Sequence, residues 1–306
     1  MSAYRFCRSD DVPLIVEAYE RCNVGPGAVP WQLTIDHMKR LSREMDLWTS
    51  SCMVAFAGSD PIGVLIAAKR EPTANLVLHA AVHPDHRRQG HARHMMTSLS
   101  QKMAILEPTR MLVEVPAEAM AARGFLGACG FARAEPLTDY LHSGESAAAA
   151  PVLDLVGSVS PTEILASAEL ADASELNRCW QRSPRTIRNL RQSARGVGIA
   201  TDRGFEAYLL YRDPRDSGDP LPFTARPSIP AGLRSGPAPC EILAIGGLKP
   251  VPALLGPLLA FAAGDSGRPL YLPRVHPREP PAERLEQVGF QAAGTTLRYE
   301  SDAARS

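Results

Sequence analysis

The sequence predicts an α/β chain: a mixed, mostly antiparallel central sheet flanked by helices, built as two tandem copies. Three observations carry that prediction. Strand patterns come first as an antiparallel meander and then alternate strand, helix, strand, helix, the order that lays helices on the faces of a mixed sheet. Behind Gly90, the residues Ala92, Met95, Met96, Leu99, Met103 and Leu106 fall at helical spacing and make one continuous apolar stripe. The second half then repeats the order: "RMLVEVP" followed by "ACGF" is echoed by "RPLYLPRVHPREPPAERLEQVGF", with Phe131 matched by Phe290 and Glu114 by Pro273.

The elements can be justified in order. "DDVPLIVEAYERC" places Val12, Ile15, Val16 and Ala18/Tyr19 near helical spacing after an Asp-rich cap, and "TIDHMKRLSREM" reads as a second helix. "SCMVAFAG" and "PIGVLIAAKRE" flank the turn "SDP", a hairpin signal, and "NLVLHAAVHP" is a strand stopped by Pro84. The helix after Gly90 follows, then the strand "RMLVEVP", the helix "AMAARGFLGAC" and the strand opening "GFARA".

At 306 residues the chain exceeds the ~100–200 of one domain, so two are expected, 1–150 and 151–306. The run "GESAAAAP" is linker-like, and residues 213–239 are so rich in Pro, Gly and Ser that they read as a long loop. A hydrophobic share of 45% suits a sizeable core, and 33 basic residues balance 33 acidic ones, which leaves no global footprint of a nucleic-acid partner. "MSAYRFCRSDD" has no apolar signal core, and "VPALLGPLLAFAAG" is too short and proline-broken to span a bilayer, so a cytoplasmic location is expected. The six cysteines are scattered without a CxxC pair and read as reduced thiols.

The stretch "HAAVHPDHRRQGHARHMM" concentrates positive charge and its only glycine at one turn. A turn of the form RxxGxA that opens a helix leaves several backbone N–H groups unpaired and aimed at one point. The helix dipole adds ~0.3–1 kcal/mol for an anion placed there. Arg87, Arg88 and Arg93 supply charge-assisted donors, and Gly90 lets the backbone approach without a Cβ. The turn lacks both the GK[ST] ending of a nucleoside-triphosphate loop and the GxGxxG of a dinucleotide fold.

Val82-His83-Pro84, Arg87-x-x-Gly90-x-Ala92, Glu114-Val115 and Gly130-Phe131 stand in one order at compatible spacing. In this the chain resembles the GCN5-related N-acetyltransferase (GNAT) superfamily over about residues 3 to 145. The resemblance implies the acyl-CoA N-acyltransferase fold and acetyl-CoA, or another acyl-CoA, as cofactor. It implies that the pantetheine arm pairs with Ala80, Ala81 and Val82 like an added strand, and that the pyrophosphate sits on the turn of Arg87, Arg88, Gln89, Gly90, His91, Ala92 and Arg93. It also implies direct attack of a primary amine, on a small molecule or a peptide, upon the thioester. That reaction needs a base, because a Lys-like ammonium has a pKa of ~10.4, and a donor for the oxyanion, for which the N–H near Ala81 or Val82 is the candidate.

Glu114 occupies the position that supplies a base in some relatives; the alternative is a glutamate that merely pairs with a nearby arginine. The sequence departs from the pattern elsewhere. Leu126 stands where an acid tyrosine is frequent, Ala119 where an asparagine often touches the cofactor, and Leu76 and Leu78 where relatives carry a His or Glu base. Tyr140 is the candidate replacement acid. A metal site is not expected: His79, His83 and His86 are irregularly spaced, and His91 and His94 sit beside arginines that repel a cation. His79 is expected to pack in or beside the sheet.

In the second copy "GGLKPVPALLG" replaces RxxGxA, with no arginine and with prolines where amides should point. That copy is expected to serve as a wall, a surface for a possible homodimer, or a lid. Two classes of function remain: an acyl-CoA-dependent N-acetyltransferase, and a non-catalytic acyl-CoA-binding or sensing protein.

Overall fold

The computed structural model describes residues 2–25, 32–70, 72, 74–106, 110–144, 155–166, 178–202, 204–217, 238–246, 252–279 and 282–302. They divide into two compact units, one up to Glu135 with 297–302, the other from Pro136 to Thr296. The expected boundary at 150 therefore moves to 135, and the end of the chain returns to the first unit. The expected long loop falls mostly on 218–237, outside the described residues.

Unit 1 runs β1 (Ser2–Phe6), α1 (Val12–Cys22), α2 (Ile35–Glu44), β2 (Met53–Ala57), β3 (Asp60–Arg70), β4 (Ala74–Val82), α3 (His91–Leu106), β5 (Arg110–Pro116) and α4 (Met120–Ala128). Its strands lie in the order β1-β2-β3-β4-β5, antiparallel up to β4 and parallel between β4 and β5. Local sequence explains the pieces. Thr34 caps α2 by accepting from the His37 N–H at 3.1 Å, with the His37 side chain closing the reciprocal bond. β3 is buried from Pro61 to Arg70, which is why it reads as a near-continuous apolar run. Gly130, at φ +84°, takes the left-handed position that ends α4.

The core of this unit joins Met53, Leu65, Val77, Met95, Leu99, Met103, Val113 and Phe131. The stripe predicted on α3 is thus real from Met95 to Met103 but stops there, since Leu106 is 52% exposed.

Unit 2 repeats the sequence of elements: β6 (Arg133–His142), which enters it at Pro136, then β7 (Gly157–Val159), α5 (Pro161–Leu165), α6 (Pro184–Leu190), β8 (Arg195–Thr201), β9 (Gly204–Arg212), a short α7 (Pro214–Ser217), β10 (Cys240–Gly246), α8 (Pro252–Ser266), β11 (Leu270–Val275), α9 (Ala282–Gln287) and β12 (Gln291–Asp302). Its order is β7-β8-β9-β10-β11, again antiparallel until the parallel β10–β11 pair. Leu209, Ile242, Leu258, Leu259, Leu272 and Phe290 are among its core residues.

The closing strands do not stay where the repeat predicts. β6 is the neighbour of β11 in unit 2, with Tyr140 opposite Leu272. The residues of β12 from Leu297 onward belong to unit 1, next to β5. There Glu300 pairs with Arg110 at 2.5 Å, Arg298 with Glu135 at 2.5 Å, and the Tyr299 hydroxyl accepts from Arg123 Nε at 3.3 Å.

Candidate active site of the first unit

Pairing between β4 and β5 runs from Asn75–Met111 to Val77–Val113 and stops, although β4 continues to Val82 and β5 to Pro116. The strands part four residues before Ala81, well ahead of Pro84, the residue read from the sequence as stopping the strand. A bulge explains the early parting. On β3 the neighbours Ile66 and Ala67 face His79 and Val77, so Leu78 is an extra residue that bends β4.

The bulge also decides where His79 goes. Val77 and Ala67 belong to the core packed on α3, whereas His79 stands against Tyr19 of α1, ring centroids 4.9 Å apart. Burial pushes the His79 imidazole down to about 4, so it is neutral at pH 7.

The parted edge opens onto a cavity of about 950 Å³. One wall is β4 from His79 to Val82, with Ala80 exposed; another is the turn and first residues of α3; a third is α4 through Met120, Ala121, Ala122, Gly124, Phe125 and Ala128; Cys22 and Asn23 close it from α1. The turn begins with the 3-10 segment Pro84–His86 and holds two left-handed residues, Arg88 at φ +65° and Gly90 at φ +88°. Left-handed residues next to right-handed ones turn successive N–H groups to a common concave side, and the first turn of α3 adds its own free donors. A Cβ built on Gly90 meets nothing within 4 Å, so backbone hand, not crowding, requires glycine there.

Most of the expected cofactor residues meet here: Ala80, Ala81, Val82, Arg87, Arg88, Gly90, His91, Ala92 and Arg93 all line the cavity. Three expectations need correction. Gln89 is not among the lining residues; its side-chain amide donates to the Asp85 carbonyl at 3.3 Å. Arg87 lines the cavity but spends its guanidinium on the protein: Nε donates to the Val82 carbonyl at 2.9 Å and a terminal nitrogen to the Val24 carbonyl at 3.0 Å. Through these bonds it ties the end of β4 to the segment after α1. Tyr140 lies in the core of unit 2 with Leu209 and Leu272, because β6 pairs with β11, and it is not among the cavity residues.

Glu114 is half-buried and is the first residue of β5 beyond the last paired position, at the crotch of the split, though not in the cavity lining. Sequence reasoning missed Cys22, Asn23 and the α4 wall. Asn23 donates to the Tyr19 hydroxyl at 3.2 Å, and burial raises the Cys22 thiol to about 11, which keeps it protonated. The run of small residues in "AMAARGFLGAC" was the available signal, since a helix face of Ala and Gly leaves room beside it.

In unit 2 the corresponding gap is occupied. β10 pairs with β11 at Cys240–Leu270 and Glu241–Tyr271 only, and Leu243 is the extra residue of a bulge against β9. The turn Trp180–Arg182 packs against β10, while Arg182 donates to the Pro273 carbonyl of β11 at 3.1 Å. Arg182 is clamped in turn by Glu279, with both oxygens bonded, at 3.1 and 2.5 Å, and both side chains 3% exposed.

A split parallel pair leading into a glycine turn and a helix N-terminus is the framework of an acyl-CoA-dependent acyltransferase fold, and comparison with known proteins agrees. Residues 48–133 match the family model of the acetyltransferase (GNAT) domain. No curated protein matches the chain. Among solved structures it is similar over its whole length to a tandem GNAT protein from the clavulanic acid biosynthesis pathway, with 12% identity, 100% of each chain covered and a TM-score of 0.59. A GCN5-related N-acetyltransferase from Sphaerobacter thermophilus aligns at 13% identity over 99% of this chain and 96% of that one, TM-score 0.59. One from Anabaena variabilis aligns at 9% identity over 99% and 73%, TM-score 0.62. Residues 48–133 thus carry a match to the GNAT domain, and the chain as a whole has the fold of a tandem GNAT protein.

Proposed function

We propose that unit 1 transfers an acetyl group from acetyl-CoA to a primary amine of a small molecule or peptide. The observation that carries this reading is one cavity lined both by the parted edge of β4 and by the N-terminus of α3. The strand edge offers backbone partners to an extended amide-bearing arm, and the turn offers converging N–H groups to a pyrophosphate. Ala80 to Val82 would hold the arm, and the amides around Gly90, with Arg88 and Arg93 as cations, would hold the phosphates. When bound, acetyl-CoA supplies an activated thioester.

The chain's own residues do the rest. Arg87 fixes the mouth by bonding Val82 and Val24. An N–H at Ala81 or Val82 donates to the oxygen on which charge develops. Glu114, at the crotch of the split, takes the proton that the attacking ammonium must lose.

A second reading has one observation in its favour. With Tyr140 in unit 2 and Leu126 at the usual tyrosine position, no tyrosine lines the described cavity as an acid, as fits a protein that binds acyl-CoA without turning it over. Thiol release from acetyl-CoA across a panel of amines separates the two. Transfer is expected with at least one amine class, and Glu114→Gln should lower it by ~10²–10⁴ at neutral pH while leaving CoA affinity intact. The deficit should shrink as pH rises toward the amine's own pKa. CoA binding without thiol release from any amine would establish the binding protein instead.

A further inference from the structure

His91 is the first residue of α3 and is 6% exposed, yet it lines the cavity. Its Nδ1 is bonded to the Tyr4 hydroxyl of β1 at 2.6 Å. The other ring nitrogen, Nε2, is buried with no hydrogen-bond partner, in a residue that lines the cavity. A buried polar atom of this kind calls for a ligand. From the acyl-CoA reading above, on which this rests, we propose that His91 is a phosphate ligand that takes up a proton as the polyphosphate enters, so that cofactor binding is coupled to pH.

The surroundings support the coupling. His86 of the Pro84–His86 turn stands edge-on, centroids 6.2 Å away, and His94, one helical turn on, lies against Tyr4 at 3.8 Å. Arg87, Arg88 and Arg93 stand in the same wall, and Asp85 is the acidic residue of the turn, 3.7 Å from His83. Burial, then His86 and His94, hold the His91 imidazole below its ordinary value and therefore neutral before the ligand arrives. An anion beside Nε2 reverses the balance. The Tyr4 hydroxyl accommodates both states: it donates to Nδ1 of the neutral ring and, after rotation of its hydrogen, accepts from Nδ1–H of the charged ring. The neutral ring already carries its hydrogen on Nε2, so the proton taken from solvent ends on Nδ1, bonded to the Tyr4 oxygen, while Nε2–H of the charged ring faces a phosphate oxygen.

Calorimetry with dephospho-CoA tests this, because its pyrophosphate lacks the monoester group that titrates near pH ~6 in CoA itself. Titrations in buffers of different ionisation enthalpy count the protons directly in the unaltered protein. Net uptake is expected near pH 6, with affinity rising about three- to tenfold from pH 7.5 to 5.5. His91→Gln should flatten that profile, whereas His86→Asn should keep most of it. Binding without proton uptake, or equal uptake in His91→Gln, overturns the proposal and leaves the cofactor reading standing. Absence of binding at every pH, by CoA and dephospho-CoA alike, overturns the cofactor reading itself.

Discussion

Units 1 and 2 bulge the same strand at the same place, at Leu78 and at Leu243, and each parts that strand from its parallel neighbour close by. In unit 1 the gap opens on a cavity whose far wall is a helix of small residues. In unit 2 the chain itself crosses it, with Arg182 bonded to Pro273, the residue in register with Glu114. His79, just past the first bulge, has Ala244 as its counterpart past the second, in an apolar cluster with Ile187 and Tyr208. The backbone framework survived duplication, and what fills the gap decides which copy is open to a ligand.

Stoichiometry is the sharpest way to break this comparison. One CoA per chain is expected by titration calorimetry of the intact protein, and Gly90→Asp, which sets a carboxylate in the anion site on a left-handed residue, should remove it. A second equivalent, or tight binding that survives Gly90→Asp, would show that unit 2 keeps a site.

Next in size is the anchor of the plug. Arg182→Met leaves the buried Glu279 carboxylate with only Arg178, at 3.9 Å, and the His276 N–H, at 2.8 Å, and loss of up to about 3–5 kcal/mol is expected in urea unfolding. Adding Glu279→Leu should restore part of it, since the buried carboxylate that lost its bidentate partner is then gone, although Arg178 loses its own. If Arg182→Met costs less than about 1 kcal/mol, the turn is not what holds this gap closed.

The smallest effect distinguishes the units by pH. His79 titrates near 4 when folded and near ~6.5 when unfolded, so between those values the unfolded chain binds the extra proton. Its contribution is intact above pH ~6.5 and falls by up to about 3 kcal/mol as pH drops to 4. Denaturation midpoints of the parent and of His79→Gln should therefore converge in the acid range. Parallel pH profiles would show that the folded chain does not hold the His79 imidazole neutral.

The residues show why some of this was legible in the sequence and some was not. Period-two runs, the helical stripe and the turn glycines marked β2 through α4, and the charge and glycine at 87–93 located the mouth. These are local signals. The bulge at Leu78 was not legible, because Leu78 differs in no way from its neighbours and only the register of β3 reveals it. The bonds of Arg87 to the carbonyls of Val82 and Val24 were not legible either, because backbone acceptors have no side-chain signature. Tyr140 was misplaced for a related reason: the strand that carries it has the right pattern for either sheet, and its pairing partner lies more than a hundred residues along the chain.

The return of β12 to unit 1 bears on how the protein is made. When Arg110, Arg123 and Glu135 leave the ribosome, the residues that will bond them, Glu300, Tyr299 and Arg298, have yet to be translated. At ~5–20 residues per second, at least several seconds pass with the β5 edge uncovered. During that interval the nascent first unit exposes strand backbone of the kind that other chains can pair with. The unit with the open cavity, although it comes first in the message, is the last to be completed.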